Sequence, residues 1–212
     1  MSEVDPQRRY GAAHRQALAD WAAADAARCA ARAGCGLGAG GVPVPFFGRV
    51  EMVSHPEGRV TSQAGAEPAH IAVAILLLHY LLRADGEPPA REWLAFRELP
   101  DGLFYAASFA ARAEEPLAQA FAAPAGAAEP GLERFAQAAA ALGGEALGLA
   151  DASFRFQALP RVPVAVLLWA GDEEFPARAQ LLFDAAAGHY LPAEDLAGLG
   201  GWLVGQLTRL AG

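Results

Sequence analysis

The sequence predicts an α+β fold, an antiparallel sheet made of an N-terminal hairpin and a C-terminal three-stranded meander, packed with several helices. Three observations carry this. Apolar positions alternate over Val42–Val53 and Ser153–Leu159, the run Val162–Trp169 is almost wholly apolar, and helical spacing dominates the remainder. The strand-like segments are separated by turn residues rather than crossover helices, which favours antiparallel pairing.

Taken in order, Tyr10, Leu18, Trp21 and Ala24 recur at helical intervals, so residues 6–33 read as one amphipathic helix. The Gly-rich stretch Gly34–Gly41 ends it. Val44, Phe46, Val50 and Met52 then alternate with Phe47, Arg49 and Glu51, predicting a strand over Val42–Val53. Its partner, Arg59–Gln63, returns after the turn residues His55-Pro56-Glu57-Gly58. Pro68 suits a helix N-terminus, and the run to Leu82 is apolar on nearly all sides, as a central helix would be. Asp85-Gly86-Glu87-Pro88-Pro89 stops that helix, and Arg91–Phe96 reads as a short helix or irregular turn. Phe104–Phe121, broken near Pro116, and Leu132–Leu142 read as helices separated by the linker Ala122–Pro130, with Gly143-Gly144 closing the second. In the meander, Pro160-Arg161 joins the first two strands, and Gly171–Pro176 joins the second to Ala179–Asp184. Pro192 with Glu194 and Asp195 starts a last helix that runs to Leu210. The expected organisation is an N-terminal helix and linker over residues 1–41, then a single domain over 42–212.

Composition excludes several classes of chemistry. All 16 basic residues are Arg, and there is neither Lys nor Asn, as in the product of a GC-rich genome. Without Lys there is no phosphate-loop lysine, Schiff base or Ser-Lys dyad, and without Asn no Cys-His-Asn triad. A net charge of −8 with scattered arginines argues against nucleic-acid binding. The N-terminal residues lack the apolar core of a signal peptide, and the longest apolar run, Ile71–Leu82, is shorter than the roughly 20 residues that cross a bilayer, so a cytoplasmic protein is expected. Cys29 and Cys35 have neither the spacing nor the neighbouring His of a metal knuckle and read as reduced thiols.

Candidate site residues are few. The tripeptide His-Tyr-Leu occurs twice, as His79-Tyr80-Leu81 in the central helix and as His189-Tyr190-Leu191 at a strand-to-helix junction. A histidine in apolar surroundings is either a core residue with a hydrogen-bond partner or a ligand, and the reading of His79 stays open between these. His189 is better placed for function, with Asp184 at the end of the preceding strand available to orient its imidazole. If the two histidines met, a shared site flanked by Tyr80 and Tyr190 would follow. Asp172, Glu173 and Glu174 could hold a hard cation such as Mg²⁺, or form a solvated hairpin tip. Arg97-Glu98 could be a buried ion pair that fixes the turn Pro100-Asp101-Gly102, or supply an anion-recognising arginine. Ser108 and Ser153 lie in no nucleophile elbow, and no Gly-rich loop follows a strand as a phosphate loop would.

Several motifs in order, Leu76–Gly86, Trp93–Phe104, Gly171–Pro176, Leu182-Phe183-Asp184 and His189–Pro192, resemble the bacterial and archaeal family called Domain of Unknown Function 3786. The likeness runs from the first hairpin to the last helix. It implies an anaerobe's protein, and some family members carry an added cysteine-rich iron-sulfur domain of the kind found in acetyl-CoA pathway proteins. This chain has no cysteine cluster, so that function does not transfer. The resemblance therefore implies, by association, a redox, corrinoid or one-carbon protein partner. Three functional expectations result. The first is a non-catalytic binding or accessory protein for a cofactor, metal or partner; the second, an enzyme using His189 and Asp184 as an acid-base pair. The third is a structural module in which Trp202, Leu203, Leu207 and Leu210 of the terminal helix support a homodimer.

Overall fold

The N-terminal helix expected over residues 6–33 is two helices in the computed structural model, α1 (Pro6–Ala23) and α2 (Ala26–Arg32). Asp25 makes the break: its backbone is extended, and its side chain accepts the N–H of Arg28 at 3.1 Å, which starts a new helix. The structure describes residues 6–62, 68–122, 128–172 and 174–211. The chain divides into two units. The first runs to Pro88 and takes in Leu159–Arg161 and His189–Leu191; the second comprises Pro89–Ala158, Val162–Gly188 and the chain from Pro192.

In the first unit, the single strand expected over Val42–Val53 is itself a hairpin. β1 (Val42–Phe46) turns through Phe47-Gly48 into β2 (Arg49–Val53), which pairs antiparallel with β3 (Val60–Ser62). Both turn residues have positive φ, 47° and 75°, as a two-residue turn that follows the strand twist requires. The turn also resets the alternation, because Val44 now faces Glu51 directly across the ladder. Glu51 therefore shares the buried face of Val42, Val44 and Phe46 instead of opposing it, and is only 4% exposed. Burial raises its carboxyl above the ordinary glutamate range, with Arg49 opposing. The β3 expectation extended to Gln63, which lies outside the described residues.

The central helix, α3 (Ile71–Arg83), begins three residues after Pro68. His70 caps it by accepting the N–H of Ala72 at 3.3 Å, while Pro68 forms an isolated bridge with Thr61. Leu77, Leu78 and Leu81 are fully buried, and α1 and α2 pack on this helix. The indole of Trp21 on α1, also fully buried, donates to the Ser54 carbonyl at 2.8 Å.

The second unit holds a sheet of order β4-β8-β7-β6-β5. The expected meander is its centre, as β6 (Ala152–Leu159), β7 (Val162–Trp169) and β8 (Arg178–Asp184). Residues 162–168 are all buried, which is why β7 reads as a continuous apolar run. Two three-residue strands extend it: β5 (Glu145–Leu147) pairs with β6, and β4 (Trp93–Ala95), expected as helix or turn, pairs antiparallel with β8. After β4 the chain makes a 3₁₀ turn, Phe96–Glu98, and enters α4 (Gly102–Phe109). The break expected near Pro116 is a π turn over Ala110–Glu114, in which the Glu115 N–H reaches back to the Ala110 carbonyl, before α5 (Glu115–Ala120). Proline has no N–H and its ring crowds the carbonyl four residues back, so the widened turn relieves that conflict.

The helix α6 (Ala128–Ala141) ends at Gly143, φ 73°, and a 3₁₀ turn over Ala185–His189 leads to α7 (Ala193–Leu210). α7 packs against α4, α5 and α6, and its Leu203 and Leu207 are fully buried. The apolar face expected to support a homodimer is thus already covered by the unit's own helices, and of the residues expected there Leu210 is exposed. Among the described residues, no helix is long and apolar enough to cross a membrane.

Candidate functional site

What the repeated His-Tyr-Leu brings together is its tyrosines. The rings of Tyr80 and Tyr190, both fully buried, lie 5.6 Å apart at a 34° tilt. The Tyr80 hydroxyl donates to the Ala33 carbonyl at 2.6 Å and accepts the Arg161 N–H at 3.1 Å, tying three chain segments of the first unit to one side chain. Burial pushes this phenol well above the usual tyrosine range. The Tyr190 hydroxyl donates to the Glu87 carbonyl. Both groups are structural anchors. Tyr80→Phe leaves a buried carbonyl and a part-buried N–H without this partner and should lower the unfolding free energy by about 2 kcal/mol in urea titration, with Tyr190→Phe losing about 1 kcal/mol.

The histidines behave differently from each other. His79 is half-buried on α3 and, one residue from Tyr80, projects about 100° around the helix from the tyrosine contact. His189 is about half exposed, and its Nδ1 lies 2.6 Å from an Asp85 carboxylate oxygen in the loop after α3. The Asp85 carboxyl sits below its ordinary range, held there first by the Glu87 N–H and then by His189. The orienting role expected of Asp184 therefore belongs to Asp85. Asp184 is 1% exposed, and its oxygens accept the N–H groups of Ala90 and Arg91, each at 2.8 Å, and of Ala186 at 2.9 Å.

The acidic hairpin tip splits. Asp172 accepts the N–H groups of Glu174 and Phe175 at 2.8 and 2.7 Å, a turn that depresses its carboxyl, and Glu174 is exposed. Glu173 lies outside the described residues. Among the described residues, no group of three or more His, Cys, Asp or Glu is arranged to hold a metal. Cys29, on α2, and Cys35, just beyond it, are free thiols. Burial raises both, Cys35 to about 11, so neither is a ready thiolate.

Arg97 does not form the expected buried pair with Glu98. Glu98 folds back to accept the Ala95 N–H at 2.7 Å, which stabilises the 3₁₀ turn, and both side chains are exposed. Arg97 instead lines an open groove of about 580 Å³ within the second unit. One wall is the π turn and α5, with Ala110, Glu114, Glu115, Ala118 and Gln119; the other is the extended run Pro176–Gln180 leading into β8. Glu114 accepts the Leu181 N–H at 3.1 Å. Burial raises its carboxyl, while that hydrogen bond, Arg178 and Arg97 pull the other way, so both arginines act on one part-buried acid. The Arg178 guanidinium also lies 4.4 Å over the ring of Trp169, its cross-strand partner. The groove's lining thus carries two guanidinium groups, Arg97 and Arg178, and two carboxylates, Glu114 and Glu115, beside small alanine side chains.

Of these residues, only Arg97 stood out in the sequence. Glu114 and Arg178 lie in ordinary helical and strand-flanking contexts, and the one signal for the groove was Pro116, which announced an irregular helix where such turns often accompany sites. No curated protein and no solved structure matches the chain. The matching family model covers residues 25–206, through both sheets and most of α7, and the chain belongs to the family described as Domain of unknown function (DUF3786).

Proposed function

We propose that this chain is a non-catalytic binding or accessory protein of the cytoplasm, and that the groove between the π turn and β8 seats an anionic ligand or partner group. The supporting observation is that Arg97 and Arg178 line one groove with Glu114, whose carboxyl both lower against the effect of burial. Beside its two carboxylates, Glu114 and Glu115, the groove's described lining contains no Ser, Cys, His or Tyr. A setting in anaerobic redox or one-carbon metabolism accords with the family resemblance.

One observation favours a second reading. His189 presents Nδ1 to Asp85, which orients an imidazole as a general base is oriented and leaves Nε2 for a substrate. Titrating the isotope-labelled full chain with citrate while following amide resonances separates the two. The binding reading expects shifts confined to the π turn, α5 and Ala177–Leu181, abolished by Arg97→Ala with Arg178→Ala. Shifts centred on Asp85 and His189 would transfer the site to the acid-base reading, and a spectrum that does not respond anywhere would sink the groove as an anion site.

A further inference from the structure

Glu51 is the acid that the first unit's sheet buries and leaves unsatisfied. On β2 it stands directly opposite Val44 of β1 and Ser62 of β3. Residues opposite one another in a ladder share a face, as do residues two apart on one strand. Val42, Phe46, Val53 and Val60, all buried, therefore share the face of Glu51. The residue is 4% exposed, and its Oε2 is buried without a hydrogen-bond partner, alone in this among the side-chain oxygens and nitrogens of the described residues. Asp184, in the second unit, is as deeply buried but gives its oxygens to three backbone N–H groups, the donors that an ionised carboxylate needs and that Oε2 of Glu51 lacks. Neither β1 nor β3 carries a titratable side chain. Among the described residues, the charge that acts on Glu51 is that of Arg49, which shares its face at the exposed start of β2. A guanidinium in water is screened and does not offset the lost hydration of a carboxylate held in an apolar face.

We propose that Glu51 is a proton-operated latch: the three-stranded sheet closes over the neutral acid, and loss of the proton loosens β3 from β2. The inference lies beyond the binding reading and does not depend on it, since the groove is in the other unit. An ionised carboxylate draws water to itself or leaves the apolar face, and either event parts the strands beside it, whereas the neutral acid needs far less hydration. β3 is the strand that yields, because its ladder with β2 is three residues long against five for β1, and its last residue, Ser62, lies opposite Glu51. Burial gives the sign. It raises the folded carboxyl above the ordinary glutamate range, so the folded chain holds this proton more tightly than the unfolded one. The stabilisation is full below the ordinary range and is lost as the pH rises through the raised folded value.

The test compares the full chain with Glu51→Gln, which keeps the shape and removes the titration, between about pH 4 and about pH 7. Amide exchange is read in both sheets. The opening constant of β2 and β3 in the parent, relative to that in the variant at the same pH, is expected to grow about tenfold for each unit by which the folded carboxyl is raised. A fixed difference in stability between the two proteins cancels from this trend, so a weakened variant still answers the question. Exchange in β6 and β7 is expected to follow the same course in both proteins. A relative opening constant that stays within about twofold across the range, or one that grows equally in β6 and β7, overturns the latch. Should Glu51→Gln not fold, carbon-13 titration of the Glu51 carboxyl decides. Its midpoint is expected above that of the exposed Glu57 and higher still in Arg49→Gln. A midpoint equal to that of Glu57 in the parent overturns the proposal.

Discussion

Replacing Asp184 with alanine is expected to lower the unfolding free energy by about 4 kcal/mol, because each buried N–H left without an acceptor costs about 1–3 kcal/mol. One buried N–H, that of Ala186, and two part-buried ones, those of Ala90 and Arg91, depend on this carboxylate. It holds Ala90 and Arg91 ahead of β4 and Ala186 in the 3₁₀ turn after β8. Arg91 has a φ of 61°, a left-handed conformation that a non-glycine residue keeps only when its surroundings impose it. Asp184 is 1% and Ala186 4% exposed, so water reaches the Ala186 N–H only if the surrounding chain opens. The Asp184→Asn variant keeps one acceptor oxygen and should lose about half as much. Urea denaturation with amide exchange at β4 and β8 reads both effects. A loss in Asp184→Ala below about 1 kcal/mol would show that the clamp contributes little.

Gly102→Ala is expected to cost at least about 3 kcal/mol or to prevent the second unit from folding. A Cβ at this position would lie 1.9 Å from the Phe96 carbonyl oxygen and 3.0 Å from its carbon, and these are backbone atoms that cannot rotate away. The same oxygen accepts the Leu99 N–H at 3.3 Å, and Gly102 in turn donates to the Leu99 carbonyl at 2.9 Å, so the contact belongs to a closed pair of turns. The Phe96 ring stacks on Phe109, centroids 4.1 Å apart, so shifting Phe96 would also disturb the aromatic core. Gly198→Ala supplies the contrast. It lies in α7, a Cβ there meets nothing within 4 Å, and the change should stabilise by about 0.5–1 kcal/mol through helix propensity alone. Equal thermal midpoints for Gly102→Ala and the parent protein would refute the close approach.

Much of the fold is legible in the residues because long elements carry many votes. β7 is apolar over its whole length, β6 alternates, α3 is apolar on nearly all sides, and Pro192 with Glu194 and Asp195 marks the start of α7. Short elements carry few. Trp93–Ala95 has no period to detect in three residues, and it is a strand only because β8 offers it a ladder. The hairpin inside Val42–Val53 was hidden for a related reason. Alternation survives a two-residue turn almost unchanged in appearance, yet the turn moves Glu51 to the opposite face.

The site was less legible than the fold. His-Tyr-Leu is a real organising element, but through Tyr80 and Tyr190 rather than through its histidines. Asp184 was a sound choice as an important acid, with a role in holding backbone rather than an imidazole. The groove joins Arg97 and Glu114 to the distant Arg178, and of the three only Arg97 drew notice in the sequence.

The sequence by itself determined the α+β class, the central meander, the terminal helix and the family, since these depend on periodicity and on motif order along the chain. Only the tertiary structure decided which acid faces which base and which short segments join the sheet. Those depend on register and on short-range hydrogen bonds between distant segments, which leave no periodic trace in the order of residues.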